Sequence, residues 1–217
     1  VTLAIEDDQF AQLRDWWQRS GKPLLAGGVL ALSVVVGWQV WQNKNLVTAQ
    51  NASVLYQQLL TAALTEGEVN VAEVARLGNQ LKADYASTHY AQYARLFLAR
   101  VAVDAGRLND AAAELRVVIE KPVDPTLKEL GRQRLARIWA VQNEPQRGVD
   151  LLSGDVEPAF AASREELRGD LLLQLGRIDE ARTAYQKAKE SLTSEASSAA
   201  LQLKLDDLAR EGTSSDA

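Results

Sequence analysis

The sequence predicts an all-α protein in which one N-terminal transmembrane helix precedes a stack of paired helices. Three observations carry that expectation: a composition rich in helix formers, one long uncharged apolar segment, and a pattern of small and turn residues that recurs along the rest of the chain. With 217 residues and 47% hydrophobic content the chain can bury a core. Proline and glycine are sparse, at five and thirteen, while the abundant Ala, Leu, Glu, Arg and Gln lose little entropy in a helix. No stretch alternates as a half-buried strand would. The formal charge of −5, with no clustered Lys and Arg surface, argues against nucleic acid as a partner. The absence of cysteine excludes disulfides, thiolate metal sites, cysteine nucleophiles and a cysteine-linked lipid anchor, and leaves the compartment open.

Residues 1–22 are read as a short cytoplasmic segment and 23–43 as the membrane helix. From Pro23 to Asn43 there is no charged residue, and in Leu24–Trp41 only Ser33 and Gln39 carry polar side chains. A hydrocarbon core takes about 20 helical residues to cross, and a buried soluble helix of this length would keep a polar face. Trp16, Trp17 and Lys22 before the segment, and Trp38, Trp41 and Lys44 after it, suit the two interfaces with the lipid bilayer. The segment exceeds the apolar region of a signal peptide and ends without a small-x-small cleavage site, so it is expected to be retained. Arg14, Arg19 and Lys22 on one side against Lys44 on the other place the N-terminus inside, and the following domain outside the cytoplasm. Gly27, Gly28 and Gly37, together with Trp38 and Trp41, are the candidate contacts to other membrane helices.

The region 44–210 is predicted as helices at about 44–64, 70–83, 88–104, 108–120, 126–142, 146–153, 159–175, 179–191 and 195–210, with 211–217 as a flexible tail. Asp124-Pro125, Glu144-Pro145 and Glu157-Pro158 mark starts, because proline in a first turn sacrifices no helical hydrogen bond. Leu98-Ala99 with Gly106, Ala111 and Leu115 is echoed by Leu135-Ala136 with Asn143, Gly148 and Leu152. A third copy runs through Gly169 and Leu172, then Gly176, Ala181, Tyr185 and Ala188. The turn residue recurs after 37 and 33 positions, close to the ~34 of a tetratricopeptide repeat. Gly or Asn ends the first helix, the small residue five positions on allows close crossing, and the Leu or Tyr after it fills the groove. The fold class is therefore a tetratricopeptide-like helical-repeat solenoid behind a transmembrane helix.

Catalysis finds little support. His89 is the only histidine, placed at a helix start in Ser87-Thr88-His89-Tyr90, and no phosphate-binding glycine loop or metal-spaced cluster occurs. The reading is of a non-enzyme with no catalytic residue, metal or cofactor. Adjacent acids such as Glu165-Glu166 and Asp206-Asp207 diverge on a helix and are read as solvated faces.

Beyond these local readings, the whole chain resembles a known family. Glu6-Asp7-Asp8-Gln9-Phe10, Leu13-Arg14-Asp15-Trp16-Trp17, Gly21-Lys22 and Gly37-Trp38-Gln39-Val40-Trp41 occur in that order around the apolar segment. They are similar to the acidic start, the basic and aromatic juxtamembrane helix, the Gly-Lys entry and the Gly-Trp exit of the YfgM-like ancillary subunits of the SecYEG translocon. That resemblance implies a bacterial inner-membrane protein with a periplasmic repeat domain. It also implies a non-catalytic role beside SecYEG and the periplasmic chaperone PpiD, passing newly translocated proteins to periplasmic chaperones. A membrane-tethered scaffold for another envelope or division complex, and a cytoplasm-facing adaptor of reversed topology, remain open alternatives at this point.

Stacked helix pairs expose the first helix of each pair along one face. Aligning the copies puts Tyr93, Arg100 and Asp104, then Gln133 and Arg137, then Glu166, Asp170 and Gln174 on it. These eight are the candidate protein-binding residues.

Overall fold

A computed structural model describes residues 17, 22–64, 70–192 and 195–214, with the side chains of 22–26, 195–197 and 210–214 outside that description. Every element among these is helical: α1 Lys22–Leu64, α2 Val71–Asp84, α3 His89–Asp104, α4 Leu108–Glu120, α5 Pro125–Val141, α6 Pro145–Leu151, α7 Pro158–Gln174, α8 Ile178–Glu190 and α9 Glu195–Ser214. The chain divides into two units, 1–51 and 52–217.

In the first unit, α1 carries the expected apolar segment. Val29, Leu30, Leu32, Val34, Val35, Val36, Val40 and both Trp38 and Trp41 are more than half exposed. The Ser33 hydroxyl donates to the Val29 carbonyl at 2.8 Å, so the helix satisfies its own polar group. Trp38 and Trp41 lie 5.2 Å apart, ring to ring. A Cβ added at Gly27, Gly28 or Gly37 would meet nothing within 4 Å. Among the described residues no helix is long and apolar enough to cross a membrane. The expectations for residues 1–16 and 18–21, including Trp16 and the cations Arg14 and Arg19, and for the side chains from Lys22 to Ala26, lie outside the description.

In the second unit the helices follow one another in antiparallel hairpins, each packed on its sequence neighbour from α2 to α9, while α5 also touches α7. From α2 to α8, starts and stops match the sequence reading to within about two residues. Asn70, Thr88 and Asp124 cap α2, α3 and α5 by accepting the backbone N–H groups of Glu73, Ala91 and Leu127 at 3.0, 3.2 and 3.0 Å. Pro125, Pro145 and Pro158 each open a helix. α9 is helical to Ser214, beyond the expected end near 210. Leu201 and Leu208 are buried against α8, and the Ala-Arg-Glu that follows has high helix propensity.

The repeat turns are built alike. Gly106, Asn143 and Gly176 have φ of 73°, 60° and 72°. After each, the next residue's N–H closes a wide loop, from Arg107 to the Ala102 carbonyl, Glu144 to Trp139 and Arg177 to Leu172, at 2.8, 2.8 and 2.9 Å. This is the Schellman closure that a left-handed residue makes possible. At Gly176 a Cβ would force an L residue into that conformation. Gly176→Ala is expected to lower stability by about 1 kcal/mol, read in urea unfolding, with a smaller effect from Asn143→Gly because asparagine already tolerates the region.

Three apolar clusters fill the hairpins. The first joins Ala52, Leu59 and Ala63 of α1 to Val74, Leu77 and Leu81 of α2 and Ala94 of α3. The second centres on Ala111, Leu115, Leu135 and Trp139. The third centres on Leu152, Leu171, Ala181 and Tyr185. The predicted crossing residues Ala111, Gly148 and Ala181 are buried, as are the groove fillers Leu115, Leu152 and Tyr185.

Candidate protein-interaction site

Six of the eight candidate residues lie in three places on the first helices of the hairpins. Tyr93 is half-buried on α3 and shares an aromatic cluster with Tyr56 at 5.7 Å and Tyr90 at 6.2 Å. Burial, then the neighbouring Tyr93, raise the Tyr56 hydroxyl above the usual tyrosine range. Arg100 and Asp104, one turn apart on α3, are both exposed, with Arg100 Nε 3.6 Å from Asp104 Oδ2. Arg137 is exposed on α5. Glu166 and Asp170 are on α7.

Arg100, Asp104 and Arg137 come together around a groove of about 670 Å³ between α3, α4 and α5. Its lining also includes Leu96, Val103, Leu108, Arg134, Ile138 and Val141. Val141 is 70% exposed and Val103 is 40% exposed, a large apolar presentation for neighbouring turns of two helices. Partial burial, then the charges of Arg100 and Arg137, hold Arg134 below the usual guanidinium range. Sequence alignment of the repeats missed Arg134, Val103 and Val141. Arg134 sits one turn before Arg137, so a helical-face reading extended by three residues would have found it.

Glu166 and Asp170 are not free acids facing solvent. Lys204 of α9 donates to Glu166 Oε1 at 2.9 Å and to Asp170 Oδ1 at 2.6 Å, and the Tyr185 hydroxyl donates to Asp170 at 2.7 Å. Burial opposes the Lys204 charge, and these two carboxylates more than offset it, raising its pKa. Burial and the Asp170 carboxylate raise the Tyr185 hydroxyl. The solvated-face reading of Glu165-Glu166 also gives way, since Arg168 holds Glu165 by two hydrogen bonds of 2.9 Å.

The two remaining candidates serve the fold. Gln133 is 5% exposed and donates to Glu129 Oε1 and Ser163 Oγ, both at 3.1 Å, so it offers nothing to a partner. Gln174 is exposed but donates to the Ala140 carbonyl at 3.1 Å, stitching α7 to α5. His89 opens α3, exposed, with Nε2 3.7 Å from Asp124 Oδ2. Among the described residues no group of three His, Cys, Asp or Glu could hold a metal ion.

A family model described as a tetratricopeptide repeat-like domain matches residues 14–210. The chain is also 30% identical to the ancillary SecYEG translocon subunit of Escherichia coli (strain K12), an alignment that covers 94% of this chain and 96% of that protein. This chain belongs to the ancillary SecYEG translocon subunit family. Its relatives of the same name in Haemophilus influenzae and Neisseria gonorrhoeae are 23% and 26% identical, over 88% and 94% of this chain and 92% and 97% of theirs. The family resemblance read from the juxtamembrane motifs is thus correct. The family model reaches from residue 14 to residue 210, so it takes in the apolar segment as well as the repeats.

Proposed function

We propose that this protein is a non-catalytic inner-membrane subunit that associates with the SecYEG translocon. In this reading residues 23–43 span the membrane, the N-terminus is cytoplasmic, and the repeat domain lies in the periplasm beside PpiD. There it meets newly translocated proteins and passes them to periplasmic chaperones. The observation that carries the reading is the near end-to-end kinship with proteins named as ancillary translocon subunits. Two features of the chain support it. The uncharged segment exposes valine, leucine and tryptophan on every side of α1, a surface that lipid or another membrane helix would cover. The second unit offers a groove lined by α3, α4 and α5.

Tethering would act by raising the local concentration of the repeat domain where chains emerge, without any covalent step. Site-specific photocrosslinking in intact cells tests this, with probes at Gly28 and Trp38 and at Arg100 and Arg137. Anchor probes are expected to capture translocon subunits, and groove probes chaperone or exported chains. Adducts confined to a different envelope complex would sink the translocon assignment while leaving the repeat scaffold intact.

A further inference from the structure

The first helices of successive hairpins meet at equivalent positions, and two of the three junctions are closed by complementary groups. Between α5 and α7, Gln133 meets Ser163, Gln174 meets the Ala140 carbonyl, and Arg164 meets Glu129. Between α7 and α9, Lys204 meets Glu166 and Asp170. At the α3–α5 junction His89 faces Asp124 at 3.7 Å where the helices start, but the pattern breaks towards their C-terminal ends. There Arg100, Arg134 and Arg137 line one groove, and the acid paired with Arg100 is Asp104, on the same helix and exposed to water at 65%. Arg134 and Arg137 make no ion pair with any carboxylate among the described residues.

Three guanidiniums share one groove on a protein of net charge −5, a local reversal of the chain's overall sign. Between them the groove exposes Val103 and Val141. We propose that the α3–α4–α5 groove binds a polypeptide segment carrying carboxylates next to aliphatic side chains, its acids on Arg100, Arg134 and Arg137 and its aliphatic groups on Val103, Val141 and Ile138. Guanidinium forks match carboxylates in pairs of hydrogen bonds. A nucleic acid is a poorer fit, because the lining has no aromatic ring on which a base would stack. A long polyanion would also meet the acidic remainder of the chain, whereas a short acidic segment need touch only the groove.

The inference rests on the reading that the repeat domain binds polypeptide, and the experiment separates the two. The full chain is placed in nanodiscs of zwitterionic lipid and titrated against fluorescein-labelled peptides that alternate leucine with glutamate, with glutamine or with lysine. Anisotropy is the readout, and vesicles containing phosphatidylglycerol serve as competitors. The leucine–glutamate peptide is expected to bind at least tenfold more tightly than the other two. The double variant Arg134→Glu with Arg137→Glu is expected to lose that preference and favour the leucine–lysine peptide. The same variant should melt no lower when unliganded, since these exposed arginines pair with no carboxylate among the described residues, whereas a purely structural role for them predicts a lower melting point. Equal binding of all three peptides, or an unchanged preference in the double variant, overturns the groove assignment alone. Displacement of the peptide by anionic vesicles but not by zwitterionic ones overturns it in favour of a lipid site. Failure of every peptide to bind overturns both the groove assignment and the reading that this domain binds polypeptide.

Discussion

Arg164→Ala is expected to destabilise the repeat domain by about 3–5 kcal/mol, the cost of leaving a buried charge without its partner. Arg164 is 1% exposed, and each nitrogen of its guanidinium donates a hydrogen bond. Nε donates to Glu129 Oε1 at 2.9 Å, Nη2 donates to Glu129 Oε2, and Nη1 donates to the carbonyls of Gly154 and Asp155, both at 3.1 Å. One side chain therefore ties α7 to α5 and to the turn that follows α6. Truncation would strand Glu129, 6% exposed, and two backbone carbonyls. Burial alone would raise the Glu129 carboxyl, yet the hydrogen bonds from Arg164 and Gln133 and the nearby charges of Arg164 and Arg132 hold it below the usual range. A depressed folded value means that this stabilisation is present above the ordinary glutamate pKa of about 4.3 and is lost as pH falls through the folded value. In Arg164→Ala only Gln133 and Arg132 still oppose the burial effect, so Glu129 there takes up its proton more readily than in the wild type. The gap between wild type and variant should accordingly narrow from pH 7 towards pH 4. Urea unfolding at both pH values measures it, and a gap that stays constant, or one below about 1 kcal/mol at pH 7, would show the pair to be dispensable.

Much of the architecture was legible because it depends on local chemistry. Pro125, Pro145 and Pro158 announce helix starts wherever they stand, and Gly106, Asn143 and Gly176 mark turns that only left-handed backbone can close. The crossing residues Ala111, Gly148 and Ala181 were found for the same reason: one packing geometry, repeated, leaves one residue size at one position. The buried pair resisted because nothing local marks it. Glu129 and Arg164 are 35 positions apart, and each sits in a polar run that reads as a solvated helix face. Only the stacking of one hairpin on the next brings them together. The spacing, close to one repeat, was the available signal.

The candidate face shows the same division. Arg100 and Arg137 align by repeat register and do flank a groove. Glu166 and Asp170 obey the same register but are met by Lys204, because the helix that follows the last hairpin occupies the place a further repeat would take. Gln133 aligns with Leu96 of the preceding hairpin, a groove-lining position, yet the α5–α7 junction closes over it. Register thus locates equivalent positions, while the identity of the next helix decides whether each is covered.

Gly169→Ala is expected to destabilise the domain by about 2 kcal/mol net, although alanine is the better helix former by about 1 kcal/mol. A Cβ at this position of α7 would lie 2.4 Å from Cε1 and 2.5 Å from Cδ1 of Tyr185. The ring has nowhere to go. It is 1% exposed, backed by Ala181, Ala184 and Ala188, and its hydroxyl is held by Asp170, which Lys204 also grips. Displacing it would disturb both α8 and the Lys204 contact that ties α9 to α7. Gly148 provides the control. There the nearest atom is Leu171 Cδ1 at 2.9 Å, the end of a flexible side chain, with the Ala136 carbonyl oxygen at 3.3 Å, so Gly148→Ala should cost less than Gly169→Ala. Tyr185→Leu removes the obstructing ring and is itself destabilising, but combined with Gly169→Ala it should cost less than the two changes added separately. A double-mutant cycle by chemical unfolding is expected to return a coupling of at least about 1 kcal/mol. Strict additivity would mean that glycine at 169 serves some purpose other than room for that ring.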